Sequence, residues 1–191
     1  MGKSTAANML RAMGIPVHDA DAAVHELFAM DRRVRALIAE RFPGTADENC
    51  VDRQALGKAV FGNPDARRDL EAILHPRVQT SARRFLQRCC RLGVPIAVLD
   101  IPLLYETDGE ARVDAVVVVS APAFLQKKRV MARPGMDAER FAGILASQMP
   151  DREKRCRADF VVETGLGRAY TFKSLKRVVH AIRAAQSGSR A

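Results

Sequence analysis

Apolar positions along the chain recur with two periods. Stretches such as 4–13, 22–30, 32–41 and 171–185 place Leu, Ile, Val, Met and Ala at helical spacing. Between them lie short runs apolar at every position: 96–99, ending at Asp100, 115–119 with four consecutive valines, and 160–162. A strand apolar on both faces fits a parallel sheet covered by helices. Strand–helix alternation through the second half therefore predicts an α/β fold with a doubly wound parallel sheet.

Punctuation residues set the expected boundaries. Gly14 suits the position just past a helix over 4–13. An extended segment follows at 15–18, then Asp19-Ala20-Asp21. Asp52 is expected to cap a helix through 60, and Asn63-Pro64 to open one through 74. His75-Pro76 then reads as a break before a separate Arg-rich helix over 76–92. Further helices are predicted at 122–133, 137–148 and 151–157. Residues 32–92 contain no strand and read as one helical insertion, and 187–191 read as a disordered tail.

Composition narrows the function classes. Of 191 residues, 31 are Lys or Arg and 22 Asp or Glu, a formal net charge of +9. That balance favours anionic partners without specifying fold. Aromatics make up 5% and Trp is absent, so the stacking surface of a basic RNA-binding module has little support. No apolar run approaches the ~18 residues of a membrane span. The first residues carry no apolar leader, so cytoplasmic location is expected. The four cysteines lack metal-site spacing and read as reduced thiols.

Candidate chemistry clusters at predicted element ends. Gly2-Lys3-Ser4-Thr5 matches the tail of a phosphate-binding loop and opens a predicted helix. There backbone N–H groups bind phosphate, Lys3 reaches the β- and γ-phosphates, and Ser4 ligates Mg²⁺; an exposed terminus with a capping Ser reads equally well. Asp19 and Asp21 follow an extended segment, where a carboxylate serves as a base, a metal ligand or a helix cap. Asp100 ends a strand, the place of a metal-supporting acid or of a turn residue. Arg129 and Arg133 share a helix face, and Arg140 follows in the next helix, suiting either a charged surface or phosphoryl-charge neutralisation.

These segments, in order through nearly the whole chain, resemble the dephospho-coenzyme A kinase family. The matches are Gly2-Lys3-Ser4-Thr5, Val17-His18-Asp19-Ala20-Asp21, His75-Pro76, Asp100-Ile101-Pro102-Leu103-Leu104-Tyr105-Glu106, Arg129 with Arg133, Gln148, and Ala158-Asp159. The resemblance implies a single P-loop kinase domain over 1–191, with a helical coenzyme A-binding insertion at 32–92 and a lid at 122–148. It implies transfer of the ATP γ-phosphate, with Mg²⁺, to the ribose 3′-hydroxyl of dephospho-CoA. Asp21 matches the general base, Lys3, Ser4 and Asp100 the phosphate and Mg²⁺ contacts, and Arg129 and Arg133 the lid. His75, Pro76, Arg77, Leu103, Tyr105 and Glu106 would hold the acceptor. Partners would be the two nucleotide substrates, with neither nucleic acid nor membrane.

Two departures stand beside the resemblance. The family commonly has Arg five residues before the lid Gln, where this chain has Gly143; Arg140 is the expected substitute in binding ATP. The family also begins with a strand and a complete glycine-rich loop, so Met1 is expected to be an internal methionine about 10–12 residues into the protein. Little kinase activity is then expected of these 191 residues alone. The competing readings are another P-loop nucleoside or nucleotide kinase, or a truncated inactive nucleotide- or RNA-binding protein.

Overall fold

The computed structural model describes residues 2–132, 135–146 and 148–188. The chain divides into two compact units, one formed by 1–17 with 102–191 and the other by 18–101.

The first unit begins with helix α1, Lys3–Ala12. α1 ends as Gly14 predicts: Gly14 has φ +77° and donates to the Arg11 carbonyl, and Ile15 donates to that of Leu10. These two bonds close orphan carbonyls of the last turn. After two 3₁₀ turns, Tyr105–Thr107 and Gly109–Arg112, come strand β3 (Val117–Ser120), helices α6 (Ala123–Met131), α7 (Ala138–Ala146) and α8 (Asp151–Arg157), strand β4 (Phe160–Glu163) and helix α9 (Arg168–Gly188). β3 and β4 pair in parallel, Val117 opposite Phe160 through Ser120 opposite Glu163. The core joins Ala6 and Met9 of α1, Val162 of β4 and Leu175 of α9.

The second unit contains strands β1 (Val17–Asp19, its first residue at the unit boundary) and β2 (Val98–Asp100), which pair with each other. Between them run α2 (Ala20–Met30), α3 (Arg32–Arg41), α4 (Arg53–Val60) and α5 (Pro64–Arg91). The caps are short polar side chains. Asp19, Asp31, Asp52 and Asn63 each accept from amides of the turn that follows. Val34 and Ile38, one turn apart on α3, are fully buried and pack with Phe42, Leu56, Ala66 and Leu74. Arg35 shares that buried face because backbone carbonyls satisfy it: Glu48 at 2.9 Å and Ala29 at 2.8 Å.

Three sequence expectations are corrected. The break at His75-Pro76 does not occur, because α5 runs unbroken for 28 residues with Pro76 inside it. An interior proline costs about 3 kcal/mol; burial of Ala66 and Leu74 before it and Cys89 after it offsets that cost. The strand expected at 115–119 lies at Val117–Ser120. Ser120 joins the ladder because its carbonyl accepts from the Thr164 amide at 2.7 Å. The strands pair two by two, β1 with β2 and β3 with β4. Their burial is also uneven: Val162 is buried while Val161 remains 37% exposed. The membrane expectation concerns helices only, and among the described residues none is long and apolar enough to cross.

Truncating Ile38 to Ala leaves a cavity in the tightest part of the second unit. Ile38→Ala is expected to lower unfolding stability by about 2–5 kcal/mol, read as a fall in the urea midpoint at unchanged slope.

Candidate functional site

The candidate residues divide between the two units. In the first, Gly2 precedes α1 with φ +98°, a left-handed conformation that suits glycine. It supplies no side-chain cap, and Ala6 donates to its carbonyl at 3.0 Å. The amides of the first turn thus point out of the helix end, where the helix dipole favours an anion. Ser4 and Thr5 are exposed there and Lys3 is half-buried.

Thr164, just past β4, underlies this helix start. A Cβ built on Gly2 would lie 3.3 Å from the Thr164 Cβ and Oγ1, so the backbone passes directly over the threonine. Thr164 is buried; its amide and hydroxyl both donate to the Ser120 carbonyl, at 2.7 and 3.0 Å. Arg129 reaches it from α6, with Nη1 3.2 Å from Oγ1 and Nη2 2.9 Å from the carbonyl. Gly2 and Arg129, distant in sequence, therefore meet at one residue. Sequence reasoning missed Thr164. Its only signal is its position after an apolar strand and before Gly165-Leu166-Gly167.

Other first-unit candidates have internal partners. The Arg140 guanidinium donates to the Gly135 carbonyl at 2.6 Å and lies 3.7 Å from the Asp137 carboxylate. Tyr105 is 6% exposed, with the Arg157 guanidinium 4.7 Å from its ring centroid. Burial raises its hydroxyl pKa. Glu106 accepts from Lys154 Nζ at 2.7 Å and from the Met149 amide at 2.9 Å. Tyr105 and Glu106, expected to touch the acceptor, are thus committed to internal contacts. Leu103 is half-buried, and its carbonyl accepts from Thr107 Oγ1 at 2.8 Å. A cavity of about 260 Å³ opens beside Lys154, lined also by Gln126, Gln148 and Asp151. Arg133 lies outside the described residues.

In the second unit, Asp19 is the cap of α2, accepting from Ala22 at 3.1 Å. Asp21, exposed in the first turn of α2, is therefore not needed as the cap. Asp100 closes β2 and is 7% exposed. Arg77 lies 3.4 Å from Asp31, the cap of α3, and donates to the Ile73 carbonyl at 3.3 Å. His75 and Pro76 are exposed on α5. His18 packs its ring 5.5 Å from that of Phe85 and lies 3.1 Å from Ser81 Oγ. Burial lowers its pKa against the opposing charges of Asp19 and Glu26.

A helix opening on Gly-Lys-Ser-Thr, packed with a parallel strand pair and carrying an arginine tied to its start, marks an α/β protein of P-loop type. The family described as dephospho-CoA kinase matches residues 1–167. The chain belongs to that family. It is 57% identical over 155 residues to a dephospho-CoA kinase of Paramagnetospirillum magneticum, covering 81% of this chain and 73% of that one. The crystal structure of a Thermus thermophilus protein superposes with TM-score 0.76 at 36% identity, over 94% of this chain and 91% of that one. A dephospho-CoA kinase from Campylobacter jejuni superposes with TM-score 0.70 at 25% identity, covering 97% and 93%.

The Glu106–Lys154 pair carries a pH dependence. Burial pushes the Glu106 carboxyl up, but the Lys154 hydrogen bond, the backbone amides and the Lys154 charge outweigh it, leaving the pKa below its ordinary 4.5. A carboxyl lowered by folding stabilises fully above its unfolded value, and that stabilisation is lost as pH falls through the folded value. Glu106→Gln is expected to flatten the fall in urea midpoint below about pH 4.5. Lys154→Met, which leaves the carboxylate inside the fold without its cation, is expected to cost about 3–5 kcal/mol at pH 7.

Proposed function

We propose that this protein transfers the γ-phosphoryl group of ATP to the ribose 3′-hydroxyl of dephospho-CoA, forming coenzyme A. The observation that carries the reading is the Gly2-Lys3-Ser4-Thr5 helix start with Arg129 joined to it through Thr164, in a chain matched to the family over 1–167.

The first-turn amides of α1 bind phosphate oxygens, and Lys3 neutralises charge on the transferring group. Arg129 adds a second cation, oriented by its bonds to Thr164. Arg133 and Arg140 act from the same segment, 122–148, as a lid. Asp21, exposed in the first turn of α2, takes the proton of the attacking hydroxyl. His75, Pro76 and Arg77, in the helical insertion 32–92, hold the acceptor, with Leu103 against its apolar portion. Tyr105 and Glu106 support that loop from inside.

Mg²⁺ suits the donors available. In the first unit Ser4 offers a hydroxyl, and in the second Asp100 offers a carboxylate at a strand end, each a hard oxygen ligand. Among the described residues no cluster of three or more His, Cys, Asp or Glu side chains could cage a metal. Mg²⁺ characteristically binds through one or two protein oxygens plus substrate phosphates. When bound, Mg²⁺ would supply charge neutralisation to the phosphates. The excess of cations, net +9, favours encounter with two polyanionic substrates. The free thiols of Cys50, Cys89, Cys90 and Cys156 support action in the reducing cytoplasm.

The test is ADP formation dependent on both ATP and dephospho-CoA, with the product's phosphate located by ³¹P NMR. Lys3→Ala is expected to lower kcat/KM by about 10²–10³-fold, and Arg129→Ala to act on kcat more than on the KM for dephospho-CoA. Equal turnover with other nucleoside acceptors would instead identify a general nucleoside kinase.

A further inference from the structure

The first unit holds a second cavity, of about 340 Å³, between the C-terminal end of α1 and α9. Its lining is divided by chemistry. Met13, Phe172 and Val179 form an apolar wall, and Lys176, His180 and Arg183 supply nitrogen donors. Phe172, Lys176, Val179 and Arg183 follow at spacings of three or four, and His180 lies four after Lys176 and three before Arg183, so one face of α9 presents all five. The volume lies within the range of about 300–1,000 Å³ usual for small-molecule sites.

The charge there is only partly compensated. α9 carries Arg168, Lys173, Lys176, Arg177 and Arg183, and no Asp or Glu. Among the described residues no carboxylate forms an ion pair with Lys176, His180 or Arg183. Nor does the end of α1 require them. Gly14 and Ile15 already donate to the carbonyls of its last turn. Each helix C-terminus contributes about half a negative charge. The α1 end, whose Ala12 and Met13 line the cavity, thus offsets about half of one of the two full charges of Lys176 and Arg183.

Lys176 Nζ sits 5.3 Å from the Phe172 ring centroid, so charge and apolar surface lie side by side. An ammonium, an imidazole and a guanidinium on one face match a tetrahedral oxyanion, which accepts several charge-assisted hydrogen bonds. Phe172 and Met13 match a flat apolar body attached to it.

We propose that this groove is a second anion site, taking a phosphate ester with an aromatic body. It is distinct from the proposed ATP site. Ala12 is nine residues from Lys3, about 14 Å along the α1 axis. α9 also begins at Arg168, just after the stretch 1–167 that matches the family.

The probe is 1-naphthyl phosphate, titrated by calorimetry and by its own fluorescence. Saturable one-site binding is expected. Lys176→Glu with Arg183→Glu should weaken it by about tenfold or more, the loss of charge-assisted bonds. Lys173→Glu with Arg177→Glu reverses the same charge on α9 outside the groove lining, and should change binding less than about twofold. Lys3→Ala should leave it unchanged. Matching urea midpoints establish that the variants fold, and Lys176→Gln with Arg183→Gln serves as the milder pair if the reversal does not. No saturable binding overturns the proposal. So does equal weakening in the two reversed pairs, which marks a diffuse field such as a nucleic acid would meet. Loss only in Lys3→Ala also overturns it, because the probe then reads the other end of α1.

Discussion

The parallel pairing of β3 with β4 does not end at its last ladder rung. Thr164 continues it by donating both amide and hydroxyl to the carbonyl of fully buried Ser120. This bond pair sets the height of Thr164, over which the Gly2 backbone passes too closely for a side chain to enter without displacing it. The same threonine accepts the Arg129 guanidinium. One strand terminus thus positions a helix start and a cation that sequence separates by more than a hundred residues. An error of a few tenths of an ångström at Ser120 would be passed to both.

Ser120 and its surroundings form a connected polar network. Its hydroxyl donates to Asp151 at 2.7 Å and accepts from Arg155, which also binds Glu163 at 2.5 Å. Nearby, Lys154 is buried against Glu106, and Arg157 pairs with Glu110 while covering Tyr105. Short α8 therefore sends three successive cations to three acidic partners on other segments. Buried pairs of this kind contribute little net stability over apolar packing, but removing one partner is costly. Their consequence here is alignment: Glu106 also binds the Met149 amide, fixing where the chain leaves the α7 region and enters α8.

The second unit is organised by a different means. Four side-chain caps start four consecutive helices, and Arg35 closes the carbonyls at the end of α2. With the backbone ends satisfied, aliphatic packing around Val34 and Ile38 holds the helices together. Asp31 serves twice, as the α3 cap and as the partner of Arg77 on α5. A residue read from the resemblance as an acceptor contact is thereby held by the element it packs against.

Local chemistry was legible from the chain alone. Gly14 at a helix end, Asp52 and Asn63-Pro64 at helix starts, and the helix at 151–157 rest on backbone bonds made within a few residues, so local sequence determines them. The family-like segments, read in order, were equally visible because they are contiguous. Tertiary structure decided what depends on distant partners. Pro76 stayed inside α5 because burial on both sides exceeded its local cost. Ser120 entered a strand because Thr164 bound its carbonyl. Glu106 turned inward because Lys154, 48 residues later, is buried beside it. Thr164 carried no motif at all; packing alone made it the meeting point of Gly2 and Arg129. Sequence determines what each residue offers within reach of its own backbone, whereas packing selects among those offers, since burial energies depend on neighbours that the chain order does not name.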